Sequence, residues 1–463
     1  MKRGLVSLFA GGGGLDLGLE SAGFHTLVAT EKEEHCCQTL IANRELAQLG
    51  AGDRRKFLED LFAEQRCYLK SAKSEIQSEI ERICQQPSGF SPLIHAKVLQ
   101  GDIREISSQT LLDAARLKPG ELFLLAGGPP CQPFSRAGKR ETVEVADGKL
   151  FLEFVRTVRE IRPRWFVFEN VKGLLFAKTE VIGQQCLKCN HGWLPPFESR
   201  YSPDLLPVCC PKCGSKNIGN ESRAARGGSL DIILNEFESI GYKCRWNVLN
   251  AVDFGAPQFR ERLFIVGSRD GETFDFPVPS HGEVAGQAPQ QLDLFESEAI
   301  QTVPWNSMYR TLWSSGHPKF GKLDTTKAVL WVKNVVRPHA EPVTWNVDRP
   351  SPTVGAHQAA KFALAPHGVP EEQLARQQWH TLGKRQGDTP PVDVVHAYLS
   401  DTELLKLQTF PDNWYLHGTR MERAFQIGNA VPLVLGAAVG RAVIRASGVS
   451  LTEDFENKRL ILA

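Results

Sequence analysis

Cys131 stands behind two prolines in Gly127-Gly-Pro-Pro-Cys-Gln-Pro-Phe-Ser135, directly after the apolar run Glu121–Ala126. Two prolines fix φ and remove backbone donors, so covalent geometry rather than packing sets where this thiol sits. A lone loop cysteine is most often structural, and only its thiolate is a nucleophile. Further on, Glu169-Asn170 closes the apolar run Trp165–Phe168, and Arg260-Glu-Arg262 precedes Leu263–Gly267. Arginines two apart on a strand point to one face, so both could reach one site, although an exposed cationic edge has the same pattern. A second group of cysteines suggests different chemistry. Cys186-x2-Cys189, twenty residues, then Cys210-x2-Cys213 is the spacing of a four-thiolate zinc site. Pro211 and Gly214 suit a knuckle turn at the second pair, and Asn190-His191-Gly192 suits the first. Cys209 could replace Cys210, and His191 is a further candidate ligand.

Strands alternating with helices must hold these groups. Leu5–Phe9 reads as a strand, Gly11–Gly14 as a tight loop, Leu15–Ala22 as a helix, Thr26–Thr30 as a strand and 32–43 as a helix. Strands follow at Lys97–Ile103, Glu121–Ala126, Trp165–Phe168, Trp246–Leu249 and Leu263–Val266. Helices are expected at 150–161, where Phe151, Phe154, Val155, Val158 and Ile161 share a face, and at 230–240, 401–407 and 431–446. This alternation predicts an α/β fold with a mainly parallel sheet covered on both faces. Two stretches interrupt it: 44–96, read as an inserted pair of helices, and 183–226, the cysteine ribbon. From about 270 the texture changes to a Gln- and Glu-rich stretch and then a Trp-studded one. The expected division is a catalytic domain over 1–269, a smaller domain over 270–398, and a segment over 399–463 that returns to the first.

At 463 residues and 42% apolar content the chain can bury a large core. Its net charge of +1 gives no global field, so a nucleic-acid partner must be met by local basic patches. No apolar stretch reaches the ~18–20 residues that span a bilayer, so no membrane partner is expected. Eleven cysteines, an odd number in a chain this long, fit a reducing, cytoplasmic setting better than a disulfide framework.

The glycine loop could bind a ligand or merely turn the chain. Glycines let backbone approach a ligand closely, and a helix N-terminus favours an anionic group. Glu31 ends the second strand about 20 residues on, where an acid typically meets a ribose hydroxyl, and Asp102 ends the third strand. Strand-end acids also simply cap the next helix.

Several of these strings, in order, resemble the motifs of the cytosine-5 DNA methyltransferases. Phe9-Ala-Gly-Gly-Gly-Gly14 is similar to the family's S-adenosylmethionine loop, and Gly127–Ser135 to its nucleophile loop. Glu169-Asn170-Val171, Gln258-Phe-Arg260-Glu-Arg262, Arg349-Pro-Ser-Pro-Thr353 and Gln426-Ile-Gly-Asn429-Ala-Val431-Pro432 follow suit. The resemblance implies a Rossmann-like methyltransferase sheet, a smaller target-recognition domain, and the zinc ribbon as an insertion outside the family pattern. It implies that Phe9, Ala10, Gly11, Gly13, Gly14, Leu15, Pro130, Asn429 and Val431 meet the cofactor, with Phe9 on the adenine. Glu31 would take the ribose hydroxyls, and Asp102 with Ile103 the adenine. Lys32 stands where the family often has an aromatic or hydrophobic residue, and Ala137 where it often has a second serine.

The implied reaction is methyl transfer to C5 of cytosine. Unaided, that ring barely reacts with a methyl sulfonium. Addition of the Cys131 thiolate to C6 makes C5 an enamine-like nucleophile. Glu169 would meet N3 with a raised pKa, and Arg260 and Arg262 the cytosine oxygen, the neighbouring phosphate and Glu169 itself. A base inside a duplex must first be extruded. The expected partner is double-stranded DNA of the nucleoid, bound by a monomer. Residues 301–345, with four tryptophans and six Lys/Arg against two Asp/Glu, suit target recognition, or a small aromatic core. A tRNA cytosine-5 methyltransferase shares a similar Pro-Pro-Cys loop, and a catalytically silent DNA-binding homologue would share the fold.

Overall fold

Largely apolar runs become the central strands here because both faces of the sheet are covered. A computed structural model describes residues 3–65, 73–84, 92–130, 150–176, 178–193, 207–226, 228–283, 302–315, 329–332, 343–355, 362–365 and 397–449. The chain divides into two compact units. The first comprises 1–107, 249–261 and 275–463, and the second 108–248 and 262–274.

In the first unit, β1 (Gly4–Leu8) pairs in parallel with β2 (His25–Glu31), which pairs in parallel with β3 (Lys97–Gln100). The order 3-2-1 is that of one half of a doubly wound sheet. Helix α1 (Gly14–Ser21) follows the glycine loop, and α2 (Glu34–Gln48) follows β2. Residues 44–96, read from the sequence as an insertion, contain two helices, α3 (Ala51–Glu64) and α4 (Lys73–Cys84). Leu58, Phe62, Ile80 and Ile83 bury their faces against Ala42, Leu46 and Tyr415, which ties the insertion to α2 and to the C-terminal region.

The second unit holds β4 (Leu124–Gly127) parallel to β5 (Trp165–Val171), with β10 (Glu261–Ser268) antiparallel on the other side of β5 and β9 (Lys243–Asn250) beside β10. A short helix, α5 (Ser108–Ala115), precedes β4. Helix α6 (Leu150–Ile161) turns Phe154 onto Phe166 and Phe168, and the helix at Gly228–Ser239, α7, stacks Phe237 on Phe166 at 4.1 Å between ring centroids. Gly267 has no side chain because the Phe166 ring fills the place where one would go. Between β5 and α7 the chain runs out along β6 (Lys178–Cys186) and back along β8 (Ile218–Arg226), nine antiparallel pairs long, with β7 (Gly192–Trp193) beside the far end.

The remaining elements belong to the first unit. A four-stranded sheet has the spatial order Val343–Asn346, Val329–Val332, Phe362–Ala365, Ala397–Tyr398, all within the stretch expected to recognise the target. Helices follow at Asp401–Leu407, Arg420–Asn429 and Leu433–Ala446. Residues 420–446 are long and apolar enough for a membrane span by composition alone. The chain leaves the helical path at Ala430–Pro432, and the last helix packs its glycines on α1 as part of the core.

Candidate functional site

At the cofactor end, four consecutive glycines do different work. A Cβ on Gly14 would lie 2.6 Å from the Val431 carbonyl oxygen, and one on Gly18 would lie 2.6 Å from the Leu433 carbonyl oxygen and 2.9 Å from the Gly436 Cα. Gly12 faces Gln426, and Gly13 faces Leu40, Leu17 and Trp414. These contacts bring the segment Gln426–Pro432 onto the loop. Gly11, with φ +54°, borders open space, so the part of the run suited to a ligand is its start. Phe9, expected as the last strand residue, instead adopts φ +57° and lies half-exposed just beyond β1. A left-handed backbone at a bulky residue is costly and points to a constrained site.

Glu31 is held by three backbone donors: Gly11 N–H at 2.7 Å, Lys32 N–H at 2.7 Å and Glu33 N–H at 3.0 Å. Asp102 accepts from Arg104 Nε at 2.9 Å, and Lys32 Nζ lies 3.6 Å from its Oδ2. The Arg104 guanidinium holds the Asp102 carboxyl well below the usual carboxylate range. Lys32 therefore meets both acids, Glu31 through its backbone N–H and Asp102 through its ammonium. Ile103 is buried, while Asn429 is exposed beside Ala430 and Val431. Ala10 fixes the loop by donating to the Thr30 carbonyl at 3.0 Å. A bare backbone loop, a pre-held acid and a second acid at the next strand end fit an adenosyl cofactor. Glu31, Asp102 and Ile103 would take the nucleoside, and Gly11 and Asn429 lie on the open side.

Asp16, next to Leu15 in the first turn of α1, escaped the sequence reading. It is fully buried, and neither carboxylate oxygen has a well-formed hydrogen bond among the described residues. Burial pushes its pKa up to about 7, eased by the Ser7 hydroxyl and reinforced by Glu20 and Glu31. The folded protein thus holds a proton that the unfolded chain releases near pH 4, so this group's contribution to stability declines as pH rises from about 4 to 7. The decline amounts to up to about 4 kcal/mol. Asp16→Asn is expected to flatten that part of a stability-against-pH curve and to be more stable than wild type at pH 8. A denaturant-melt series from pH 4 to 8 checks this.

In the second unit, Glu169, Asn170 and Arg262 meet the start of the proline loop at the ends of β4 and β5. Glu169 Oε1 pairs with Arg262 Nε at 2.9 Å, both side chains 12% exposed. A Cβ on Gly128 would lie 2.5 Å from Glu169 Oε2, so only glycine lets the proline loop approach that carboxylate. Asn170 Nδ2 donates to the Pro129 carbonyl at 3.3 Å and its Oδ1 accepts from Val171 N–H at 2.8 Å. The Glu-Asn pair thereby fixes both the carboxylate and the backbone leading to Cys131. Pro130 is exposed. Cys131 itself, with Ser135 and Ala137, lies outside the described residues.

Arg260 takes different partners from Arg262. It precedes β10, so strand alternation does not govern it, and its guanidinium donates to the Val354 carbonyl at 2.6 Å and the Gly428 carbonyl at 2.7 Å. It is wholly buried. Gln258 completes this web, donating to the Leu407 carbonyl at 2.7 Å and accepting from Val354 N–H at 3.1 Å. Phe259 N–H donates to the Ser351 carbonyl at 2.8 Å and Ser351 N–H to the Pro257 carbonyl at 2.7 Å, which aligns Arg349–Thr353 on Pro257–Arg260. Of the tryptophans, Trp313 is core, its indole N–H donating to Glu403 at 2.6 Å. Trp305 and Trp345 set edges against Phe259. Those three serve packing first.

The ribbon ends in a cluster of four sulfurs from Cys186, Cys189, Cys210 and Cys213, all within 4.8 Å of one another. Cys186 to Cys213 is 3.6 Å and Cys189 to Cys210 is 3.8 Å. A tetrahedral thiolate site with ~2.3 Å metal–sulfur bonds has edges of ~3.8 Å, so the cluster could hold a metal ion. The two knuckles repeat one pattern: Asn190 N–H bonds the Cys186 carbonyl and Gly214 N–H the Cys210 carbonyl, with φ +58° and +68°. Cys210 rather than exposed Cys209 joins the cluster, and the His191 ring stacks on Trp193.

Residues 4–69, 72–189 and 217–445 match the family model described as C-5 cytosine-specific DNA methylase. The unmatched gap from 190 to 216 begins just after the first cysteine pair and takes in the second. Type II methyltransferase M.AquIA of Picosynechococcus is 34% identical over 314 residues, 66% of this chain and 90% of that protein. M1.HphI of Haemophilus parahaemolyticus is 26% identical over 96% of the chain and 87% of its own length. M.SacI of Streptomyces achromogenes is 26% identical over 96% and 93% respectively.

Proposed function

Because this chain belongs to the family of C-5 cytosine-specific DNA methylases, we propose that it methylates cytosine in double-stranded DNA through a covalent bond between Cys131 and the base. The Cys131 thiolate adds to C6, and the displaced electron pair makes C5 nucleophilic while charge gathers on N3 and the exocyclic oxygen. Glu169 meets N3 and Arg262 the oxygen, both held in place before substrate arrives. Bound S-adenosylmethionine supplies the methyl group that C5 takes. Loss of the C5 proton and breakage of the C6–sulfur bond then restore the ring double bond and the thiolate. Arg260 acts as a positioning residue, tying the return segment to the end of the Arg420–Asn429 helix.

The observation that carries this reading is the closed set Glu169–Arg262, Gly128 and Asn170–Pro129, which fixes an acid and a cation beside the backbone entering Cys131. The target base is extruded from the duplex to reach those groups. Residues 270–398 carry target choice, residues 1–269 and the returning 399–463 segment carry catalysis, and a monomer acts in the cytoplasm on nucleoid DNA. The relatives' name as type II methyltransferases supports a sequence-specific partner of a restriction system. Bisulfite sequencing of host DNA after expression is expected to show one methylated cytosine context. Methyl transfer to tRNA and not to duplex DNA would support the tRNA reading instead, and none to either would support a silent homologue.

The four-sulfur cluster is assigned to structural zinc, which would join the two knuckles. Cys186→Ser/Cys213→Ser is expected to lower bound zinc from about one per chain to none. Unchanged stoichiometry by metal analysis would refute the assignment.

A further inference from the structure

The ribbon's tip carries more than its four thiols. Among the described residues 184–193 and 207–219 there are three lysines, Lys188, Lys212 and Lys216, and no aspartate or glutamate. All three lysines are exposed. Between them the tip exposes two aliphatic side chains, Leu187 at 63% and Val208 at 75%. The strand pair below the tip is nine residues long on each side, a reach of ~30 Å. Its root is the end of β5, two residues after Asn170, through the turn Lys172–Phe176. One turn of duplex measures ~34 Å.

We propose that the ribbon tip is a second DNA contact, in which Lys188, Lys212 and Lys216 grip phosphates of the duplex about one turn from the target base. The proposal rests on duplex DNA being the substrate. Lysines on phosphates carry no sequence information, so the contact adds affinity and register but not target choice. With near-zero net charge over the whole chain, such a local patch is how the protein gains electrostatic purchase. The lysines also offset the negative charge of a metal–tetrathiolate core, a purely internal role that the experiment must separate.

The test compares wild type with Lys188→Ala/Lys212→Ala/Lys216→Ala, and with the matching triple Lys→Arg variant. Duplex binding is followed by fluorescence anisotropy from 50 to 300 mM salt, on ~30 bp cognate and unrelated duplexes. The alanine variant is expected to bind both duplexes about 10-fold or more weakly, with the logarithmic salt slope reduced by about 2 to 3. Bound zinc, melting temperature and turnover at saturating DNA stay within two-fold, and the arginine variant retains wild-type binding. Shortening the duplex to ~12 bp around the target should weaken wild type and leave the alanine variant little changed. An unchanged affinity and salt slope overturns the proposal, as does zinc loss without a change in slope. If wild type neither binds nor methylates duplex DNA, the substrate reading fails and this inference falls with it. If wild type methylates and the slope is unmoved, the ribbon proposal alone is wrong.

Discussion

Cys131→Ser is expected to abolish methyl transfer, lowering turnover by ~10⁴-fold or more while cofactor and duplex binding stay within a few-fold of wild type. The substitution removes one polarizable sulfur and changes little else in the loop. A serine hydroxyl stays protonated where a thiol, with an ordinary pKa of ~8.5, yields some thiolate. Without addition at C6, C5 has no reason to attack a methyl sulfonium. The prolines on either side, Pro130 and Pro133, keep the loop's backbone constraint in the variant. Isotope transfer from labelled cofactor into a duplex substrate measures the loss. A serine variant turning over within 10-fold of wild type would remove Cys131 from the chemistry.

The second large effect concerns Arg262. Burial draws its pKa down, and the Glu169 carboxylate offsets that cost. Arg262→Met leaves Glu169 in a dry setting without its partner, at an expected cost of ~3–5 kcal/mol in stability. Turnover should fall by ~10²–10³-fold as well, the usual effect of losing one preorganised donor at developing charge. Stability and catalysis can be separated by a second variant. Arg262→Met/Glu169→Gln removes both charges and should regain most of the stability while remaining inactive, because the coupling between the two side chains is structural as well as chemical. Urea melts and single-turnover assays on the same preparations test both halves. Activity returning along with stability in the double variant would mean that neither charge takes part in the reaction.

The parts of the fold legible in the sequence are those whose signal is local. The strands at Gly4–Leu8 and Trp165–Val171 are mainly apolar, interrupted by Ser7 in the first and by Glu169 and Asn170 in the second, as expected when both faces are buried. Helix Leu150–Ile161 repeats its apolar residues at helical spacing. The four-cysteine cluster was legible because both knuckles carry their cysteines and turn residues within six positions. Helices Ser108–Ala115 and Arg420–Asn429 were missed, the first being short and the second polar on one face. Thr419 and Glu422 form a capping box that could have marked the second.

What the sequence hid depends on distant partners. Three of the four loop glycines answer to residues elsewhere in the chain, Gly12 to Gln426, Gly13 to Leu40 and Trp414, and Gly14 to Val431. Read alone, the run looks wholly dedicated to a ligand. Asp16 sits in a helix's first turn, where an acid is ordinarily an exposed, favourable charge, and only its burial reveals the strain. Arg260 and Arg262 looked equivalent because they are two apart. The strand begins between them, and Val354 and Gly428 claim the first.

The central claim is a transient bond from one sulfur to a pyrimidine carbon, and a substrate that cannot complete the reaction can capture it. A duplex carrying 5-fluorocytosine at the methylated position cannot lose a proton from C5 after methylation. Incubated with the enzyme and S-adenosylmethionine, it should give a denaturation-resistant complex whose digest places the modified base on Cys131 by mass spectrometry. Full turnover of ordinary duplex with no such complex, or a crosslink on any other residue, would contradict the account.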